Sequence, residues 1–459
     1  MSSGETAVSS LIPARLERLP MTRVQWWIYW LCAAGVLFGS ADIFTIFSIG
    51  VNIQSAFALS NAGLATVIAS AAPAGVAGAF IAGRLGDRFG RKSVFQYTLL
   101  LYFIGSVISG FAPNFATFLV GRLILGFGIG GELPTILALI SEYSPRKSRG
   151  ALLALINGMY AIGALISGNA ALAIVPTYGW RPLFFLLAIP AVVILILRRY
   201  GLPESARWLE AKGRKQEAEA VVSGIEQKVR SISGKELPPV APSAEVKVIE
   251  YKAPLREVFS RKWVGVTTFL IWGWFITSFA GISLPAYYVP ILTQNFHYTD
   301  AAALSVLAYT LDANAIGVAA AMITIEFVGR KPMLVASYFL YGIFELLVGL
   351  TIPGGAGTLL LTIVPLNIFI VLNFSMILAY TPEVYPTRNR STGNAVATTS
   401  YNFSQFIAPY IIAAVLPALP GALVSNLFYV IGALLIITAI PAVFLAKETK
   451  RKSLEEISV

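Results

Sequence analysis

Apolar residues run through this chain in long blocks, each closed by a short cluster of Gly, Pro or charged residues. A helix needs about 20 mainly apolar residues to cross ~30 Å of hydrocarbon. Blocks of that size fall at 24–49, 62–83, 94–111, 115–141, 150–175, 182–200, 263–291, 301–327, 332–352, 357–381, 392–416 and 422–446. The pattern therefore predicts twelve membrane-spanning helices. Gly and other small residues recur inside them, as expected where helices pack against one another in lipid. The first block is too long for the apolar core of a signal peptide, and no small-residue cleavage site follows it, so it reads as an uncleaved span.

The breaks between blocks alternate in charge. Those at 50–61, 112–114, 353–356 and 417–421 contain no Lys or Arg, the one near 176–181 holds only Arg181, and that near 292–300 holds only His297 and Asp300. The alternate breaks carry Arg84, Arg88, Arg91 and Lys92; Arg146, Lys147 and Arg149; Arg330 and Lys331; Arg388 and Arg390. The positive-inside rule places these basic breaks, the segment 201–262 and both termini in the cytoplasm, which an even number of spans satisfies. His297 reads as a solvated loop residue on the outer side. Composition agrees with a membrane protein: 56% of the 459 residues are hydrophobic and 12% charged, against roughly 45–50% and about 25% in soluble domains. Mean hydropathy is +0.73. The net charge of +11 is then mostly topology, and no basic-aromatic module points to nucleic acid. The single cysteine, Cys32, excludes a disulfide scaffold. No nucleophile elbow, phosphate loop or metal-ligand cluster is present, so neither an enzyme nor a resident metal or cofactor is expected.

The chain also repeats itself. Asp87-Arg88-Phe89-Gly90-Arg91-Lys92 closes the second block and Glu326-Phe327-Val328-Gly329-Arg330-Lys331 the eighth, with the glycines 239 residues apart (329 − 90). Glu142-x-x-Pro145-x-x-x-Arg149 ends the fourth and Glu383-x-x-Pro386-x-x-x-Arg390 the tenth, 241 apart (383 − 142). Two motifs with nearly one offset imply a duplicated six-helix unit: an N-terminal bundle over 1–200, a cytoplasmic linker with short helices over 201–262, and a C-terminal bundle with a short tail over 263–459. Acidic and basic side chains at matched helix ends can bridge to neighbouring helix ends and hold the cytoplasmic face shut. The expected gate comprises Gly83, Asp87, Arg88, Gly90, Arg91, Glu142, Arg149, Glu326, Arg330, Glu383 and Arg390.

The run Gly83-Arg84-Leu85-Gly86-Asp87-Arg88-Phe89-Gly90-Arg91-Lys92 resembles the signature loop between the second and third helices of the major facilitator superfamily. Gly121-Arg122 through Gly131-Glu132 resembles that superfamily's Arg-plus-glycine fourth helix, and Pro203-Glu204-Ser205-Ala206-Arg207-Trp208-Leu209 is similar to a motif of sugar porters and their relatives. Ala446-Lys447-Glu448-Thr449-Lys450 faintly resembles their terminal motif. The resemblance covers essentially the whole chain. It implies an all-α membrane protein of twelve transmembrane helices in two pseudo-symmetric six-helix bundles, with a central cavity open to one side at a time.

An ionisable group at the bilayer centre costs roughly 2.5–3.5 kcal/mol on insertion scales, so each one asks for a reason. Arg122 lies about seven residues in from the outer end of the fourth span and Asp42 about eight from that of the first, so at 1.5 Å per residue both sit ~10–12 Å deep, and they can meet if the first and fourth helices are neighbours, as the resemblance implies. Glu132 is about 15 Å further along the helix of Arg122, out of its direct reach. The resemblance implies that an acid of the first helix and an arginine of the fourth couple protons; Asp42 and Arg122 match those positions, and Glu132 joins them as a coupling candidate. Asp42, Glu132 and Asp312 have no counterpart in the other half, which suits coupling or substrate binding. Substrate-binding candidates are Asn157, Trp274, Tyr287, Tyr288, Asp312, Asn373, Tyr380, Asn402 and Gln405. Glu345, in the peripheral ninth span, reads as structural.

Gly130-Gly131-Glu132-Leu133-Pro134, continuing to Ser141-Glu142, resembles the fourth helix of metabolite:proton symporters, including nicotinate- and organic-acid-type carriers. The seventh span lacks the Gln-Gln pair and Asn of sugar porters. The expectation is a monomeric secondary transporter of the plasma membrane, carrying a small organic acid or related metabolite with protons. A sugar or polyol symporter is the alternative, followed by a drug or organic-cation transporter and a non-transporting nutrient sensor.

Overall fold

The computed structural model describes residues 11–145, 149–234, 236–240, 255–385 and 390–448, and these are helical with no strand among them. Twelve helical rods of spanning length occur, and eleven are apolar enough to cross a membrane: Arg23–Ala56, Asn61–Phe89, Arg91–Phe111, Phe115–Tyr143, Gly158–Tyr178 (within the helix from Arg149), Arg181–Gly201, Val264–Asn295, Asp300–Thr324 (within the helix to Phe327), Arg330–Gly354, Ala356–Val384 and Ser425–Leu445. The other, Arg390–Val415, has the length but carries Thr, Ser and Asn along its first half. Numbered in chain order it is the eleventh span, and its polarity suits a helix shielded by neighbours. The first span starts where Thr22 and Gln25 close a capping box, and it runs past its apolar block to Ala56.

Glycines set how closely the helices approach. In the fourth span a Cβ on Gly126 or Gly130 would collide with the backbone of Ala71 or Gly75 in the second, whereas one on Gly121 or Gly128 would collide with the third. The glycine-rich run thus gives one helix two close-packed faces. The second half uses the same device where Gly342 of the ninth span meets Gly432 of the twelfth. Each bundle packs internally, and the halves join along the fifth and eighth spans and along the second and eleventh.

The seventh span departs from regular α-helix. After Val264–Ser278 it widens into a π-turn at Phe279–Ser283, tightens to a 3₁₀ turn at Pro285–Tyr287 and widens again at Ile291–Asn295. Pro285 and Pro290 lack the amide hydrogens that a uniform ladder needs, and such interruptions commonly mark hinges.

Below the basic end of the first half, the linker folds into Ala206–Ala211 and Lys215–Ser233. The amphipathic Lys215–Ser233 holds the short helix Ile12–Glu17 through Glu226, which accepts from Arg15 at 2.8 Å and Arg18 at 2.7 Å. Burial alone would raise the Glu226 carboxyl, but these two guanidinium groups outweigh it and hold the group below its usual range.

Candidate functional site

The first and fourth spans bring Asp42 and Arg122 together, both essentially inaccessible to solvent. Arg122 Nη1 donates to Asp42 Oδ2, while Asp42 Oδ1 and Arg122 Nε have no hydrogen-bond partner. The pair is therefore single-armed. A buried ion pair whose remaining polar atoms are unsatisfied recovers less of its desolvation cost than a fully bonded one.

Glu132 has a different partner, which the sequence reading missed. Arg198, in the last turns of the sixth span, donates to Glu132 Oε1 at 2.5 Å and to the carbonyl of Leu31 at 2.8 Å, and its guanidinium lies 3.6 Å from the Phe95 ring centroid. Gly35 makes the room, since a Cβ there would stand 2.0 Å from Glu132 Oε1. This pair is enclosed and well supplied with partners, and it pins the first, fourth and sixth spans together. The signal in the sequence was a cation inside the predicted span at 182–200, which needed an acid at its own depth.

Between the halves lies a small cavity of about 70 Å³, bounded by Phe44, Tyr160, Phe374 and Tyr401 with Thr277, Asn314, Asn367 and Ser375 as polar contributors. Asn314 is buried and its Oδ1 has no partner. A site of this size holds a few waters, so a metabolite needs the surrounding helices to part. Several substrate-binding candidates lie elsewhere. Trp274 stands behind Phe374 and Tyr401, its indole N–H on Thr381. Tyr287 is spent on the carbonyl of Pro409, and Tyr288 stacks on Phe428 of the twelfth span. Asn373 accepts from Thr277 and donates to Ser337, one layer behind the cavity. Asp312 accepts from Asn169 at 2.8 Å on the seam between the fifth and eighth spans. Tyr380 reaches the opposite way and accepts from the amide of Lys447. Asn402 is exposed and bonds back to Thr398 of its own helix, and Gln405 of that helix is absent from the cavity wall. The Asn157 side chain lies outside the described residues. These departures share one cause: span and depth follow from counting residues, but the direction a side chain faces depends on how its helix is rotated among its neighbours.

At the basic end the duplicated motifs form duplicated corners. Arg91 pairs with Glu142 between the third and fourth spans, and Arg330 pairs with Glu383 at 3.2 Å between the ninth and tenth. Each pair joins neighbouring helix ends within one half. Gly90 and Gly329 start the third and ninth spans at φ of 102° and 108°, values that disfavour any residue with a Cβ. Beside each glycine a carboxylate accepts the first free amides of the helix: Glu204 from Arg91 and Lys92 at 2.9 and 3.0 Å, and Glu448 from Arg330 and Lys331 at 3.0 and 3.2 Å. A carboxylate at a helix N-terminus satisfies orphan donors and the dipole together. Sequence reading marked both segments without assigning either acid, because a cap reached from over a hundred residues away leaves no local signal. Asp87 and Arg88 are exposed, and a Cβ on Gly83 would meet nothing. The side chains of Arg149, Glu326 and Arg390 lie outside the described residues. Glu204→Ala should weaken the corner by about 1–2 kcal/mol, with Glu204→Gln intermediate. Hydrogen exchange at the Arg91 and Lys92 amides checks this, and unchanged protection in Glu204→Ala would refute the cap.

The hydrogen bonds that cross between halves, among the described residues, are Asn169–Asp312, Gln294–Gln54 at 3.2 Å and Tyr410–Thr66 at 3.4 Å. All three lie mid-membrane or toward the end opposite the basic corners. Gln294–Gln54 and Tyr410–Thr66 join the halves at the far end.

Residues 36–459 match the family model described as sugar (and other) transporter. The niacin transporter NiaP of Acinetobacter baylyi is 26% identical over 454 residues, spanning 97% of this chain and 99% of that protein. Membrane transporter D1 of Leishmania donovani is 33% identical over 389 residues, 80% of this chain and 68% of its own. Among solved structures, the inward-open conformation of the xylose transporter XylE from E. coli superposes with a TM-score of 0.74 at 20% identity, covering 94% of this chain and 99% of that one.

Proposed function

The chain belongs to the sugar (and other) transporter family, and from that premise we propose that it carries a small organic acid, with nicotinate as the first candidate, together with protons. It is a secondary transporter with a multi-pass major facilitator fold. The coupling half of the proposal rests on the single-armed, buried Asp42–Arg122 pair. In this reading the pair opens as the bundles rock, and Asp42 takes a proton when Arg122 withdraws. Glu132, enclosed with Arg198, holds helices together and does not titrate in the cycle.

The substrate half is supported by the niacin-transporting relative and by the cavity's chemistry. Aromatic walls from Phe44, Tyr160, Phe374 and Tyr401 suit a flat ring, and Asn314 and Asn367 supply few but directional polar contacts. A sugar, with a hydroxyl on nearly every carbon, asks for more hydrogen-bonding groups than this wall offers.

With the basic end placed in the cytoplasm of the cell by the positive-inside rule, the joined far end faces outward and the conformation reads as inward-facing. The Asp87 carboxylate, exposed here, then engages when the cytoplasmic side closes. Asp87→Asn should shift the population toward the inward-open form, raising several-fold the rate at which a membrane-impermeant thiol reagent labels a cysteine placed at Ser375 in a Cys32→Ser background. Equal labelling with and without Asp87→Asn would remove this role.

The reading as a whole is tested by uptake into proteoliposomes of labelled nicotinate, other monocarboxylic acids, sugars and organic cations, with and without an inward pH gradient. Acid-specific uptake stimulated by the gradient is expected. Sugar uptake with no response to acids would overturn the substrate class, and uptake indifferent to the gradient would overturn coupling.

A further inference from the structure

The ninth span carries a carboxyl for which the coupling scheme has no use. Glu345 lies six residues before Thr351, about 9 Å from the far end of its helix. It is completely inaccessible to solvent, and neither carboxylate oxygen has a hydrogen-bond partner. An unpaired carboxylate in such surroundings costs far more than a neutral acid.

Its neighbours form a ladder. Tyr338, Tyr341 and Glu345 recur at helical spacing on the face of the ninth span that meets Thr277, Gly281 and Tyr288 of the seventh. The lower rung is satisfied: the Tyr338 hydroxyl lies 3.2 Å from Thr277 Oγ1, which donates to Asn373 at 2.8 Å. At the middle rung a Cβ on Gly281 would stand 3.2 Å from the Tyr341 hydroxyl. The upper rung is open, since the hydroxyls of Tyr341 and Tyr288 are buried and unpartnered like Glu345 itself. Thr277 and Gly281 also line the central cavity, so the ladder leads from the cavity wall to Glu345.

The groups that can act on this carboxyl are few. The seventh span supplies Tyr288, since Tyr287 is bonded to Pro409. The twelfth supplies Tyr429, packed on Gly349, and the tenth has no titratable side chain before Tyr380. The ninth span itself adds Tyr341 and Tyr338. Between Lys331 and the far end of these four helices there is no Lys, Arg or His, so no cation on them offsets a charge on Glu345.

We propose that Glu345 is a second proton-binding site, occupied in this conformation and emptied when the far half of the seventh span moves away from the ninth. Tyr288 sits between the two widened turns of the seventh span, Phe279–Ser283 and Ile291–Asn295, where the helix is built to bend. Bending outward admits water to the upper rung, and the Glu345 proton passes to solvent on the far side. Closure expels that water and requires the proton back. Proton binding by the C-terminal half is thereby tied to closure of the far end, whatever Asp42 does in the other half. This inference rests on the alternating-access reading but not on the substrate or on Asp42.

The test needs no substrate. Spin labels on Ala56→Cys and Ala301→Cys, at the exposed far ends of the first and eighth spans, report far-end opening in a Cys32→Ser background, and infrared spectroscopy reports the carbonyl stretch of a buried protonated carboxyl. The parent should lose that band and widen the label distance together as pH rises. Glu345→Gln, the isostere of the neutral acid, should lack the band and stay closed across the same range. Asp42→Asn should leave the Glu345 band and its pH response in place. A Glu345→Gln protein that opens with pH as the parent does would overturn the proposal. So would a parent band that persists unchanged while the far end opens. Absence of nicotinate uptake would count against the substrate assignment alone.

Discussion

Asp42→Asn will abolish uphill accumulation of substrate while leaving exchange across the membrane intact. A one-proton symporter working on a pH difference of one unit, worth about 1.4 kcal/mol, accumulates a neutral-equivalent substrate up to about tenfold. The variant should bring that ratio to one, because asparagine still accepts from Arg122 but has no proton to exchange. Counterflow, which needs only the rocking of the loaded carrier, should stay within a few-fold of the parent. Measuring both in the same proteoliposomes separates coupling from folding. Full accumulation by Asp42→Asn would show that the single-armed pair is a fixed strut and would move the search for the coupling acid elsewhere.

The largest stability effect is expected at the other buried pair. Arg198→Met leaves Glu132 charged, enclosed and without its donor, and breaking a buried pair from one side costs about 3–5 kcal/mol. For a protein of this size that corresponds to a fall in Tm of about 3–5 °C. The double variant Glu132→Leu with Arg198→Met removes both charges and should recover most of the loss, because apolar replacements of similar volume often match a buried ion pair. Thermal unfolding in detergent reads both. If the double variant were as unstable as the single one, the Arg198 contacts with Leu31 and Phe95, rather than the ion pair, would be the source of its contribution.

Much of this architecture was legible without coordinates. The twelve rods follow from hydrocarbon thickness and apolar block length, and the duplicated corners follow from two motifs repeated at nearly one offset. The common depth of Asp42 and Arg122 followed from helical rise, which is constant per residue; that their helices are neighbours came from the resemblance. The eleventh span is the least apolar of the twelve, with Thr, Ser and Asn along its first half.

Other parts were not legible. Arg198 lies at the depth of Glu132, yet nothing in the chain says that the sixth span stands beside the fourth at that point. Glu204 and Glu448 cap helices that begin over a hundred residues earlier. Asp312 and Tyr380 were placed at useful depths but face a seam and a basic corner, since a rotation of 100° per residue turns neighbouring side chains to different partners. Glu345 looked structural because its span is peripheral, and its lack of any partner became visible only when the seventh span was folded against it.

The sequence by itself determined which segments enter the bilayer, how deep each charge lies and that the chain is built twice, since these depend on solvation and helical rise, which are local. Which helix faces which, whether a buried charge is satisfied and at which end the halves are joined were decided only by the tertiary structure. Those properties depend on the rotation and lateral order of twelve helices, which the packing of their small residues sets collectively.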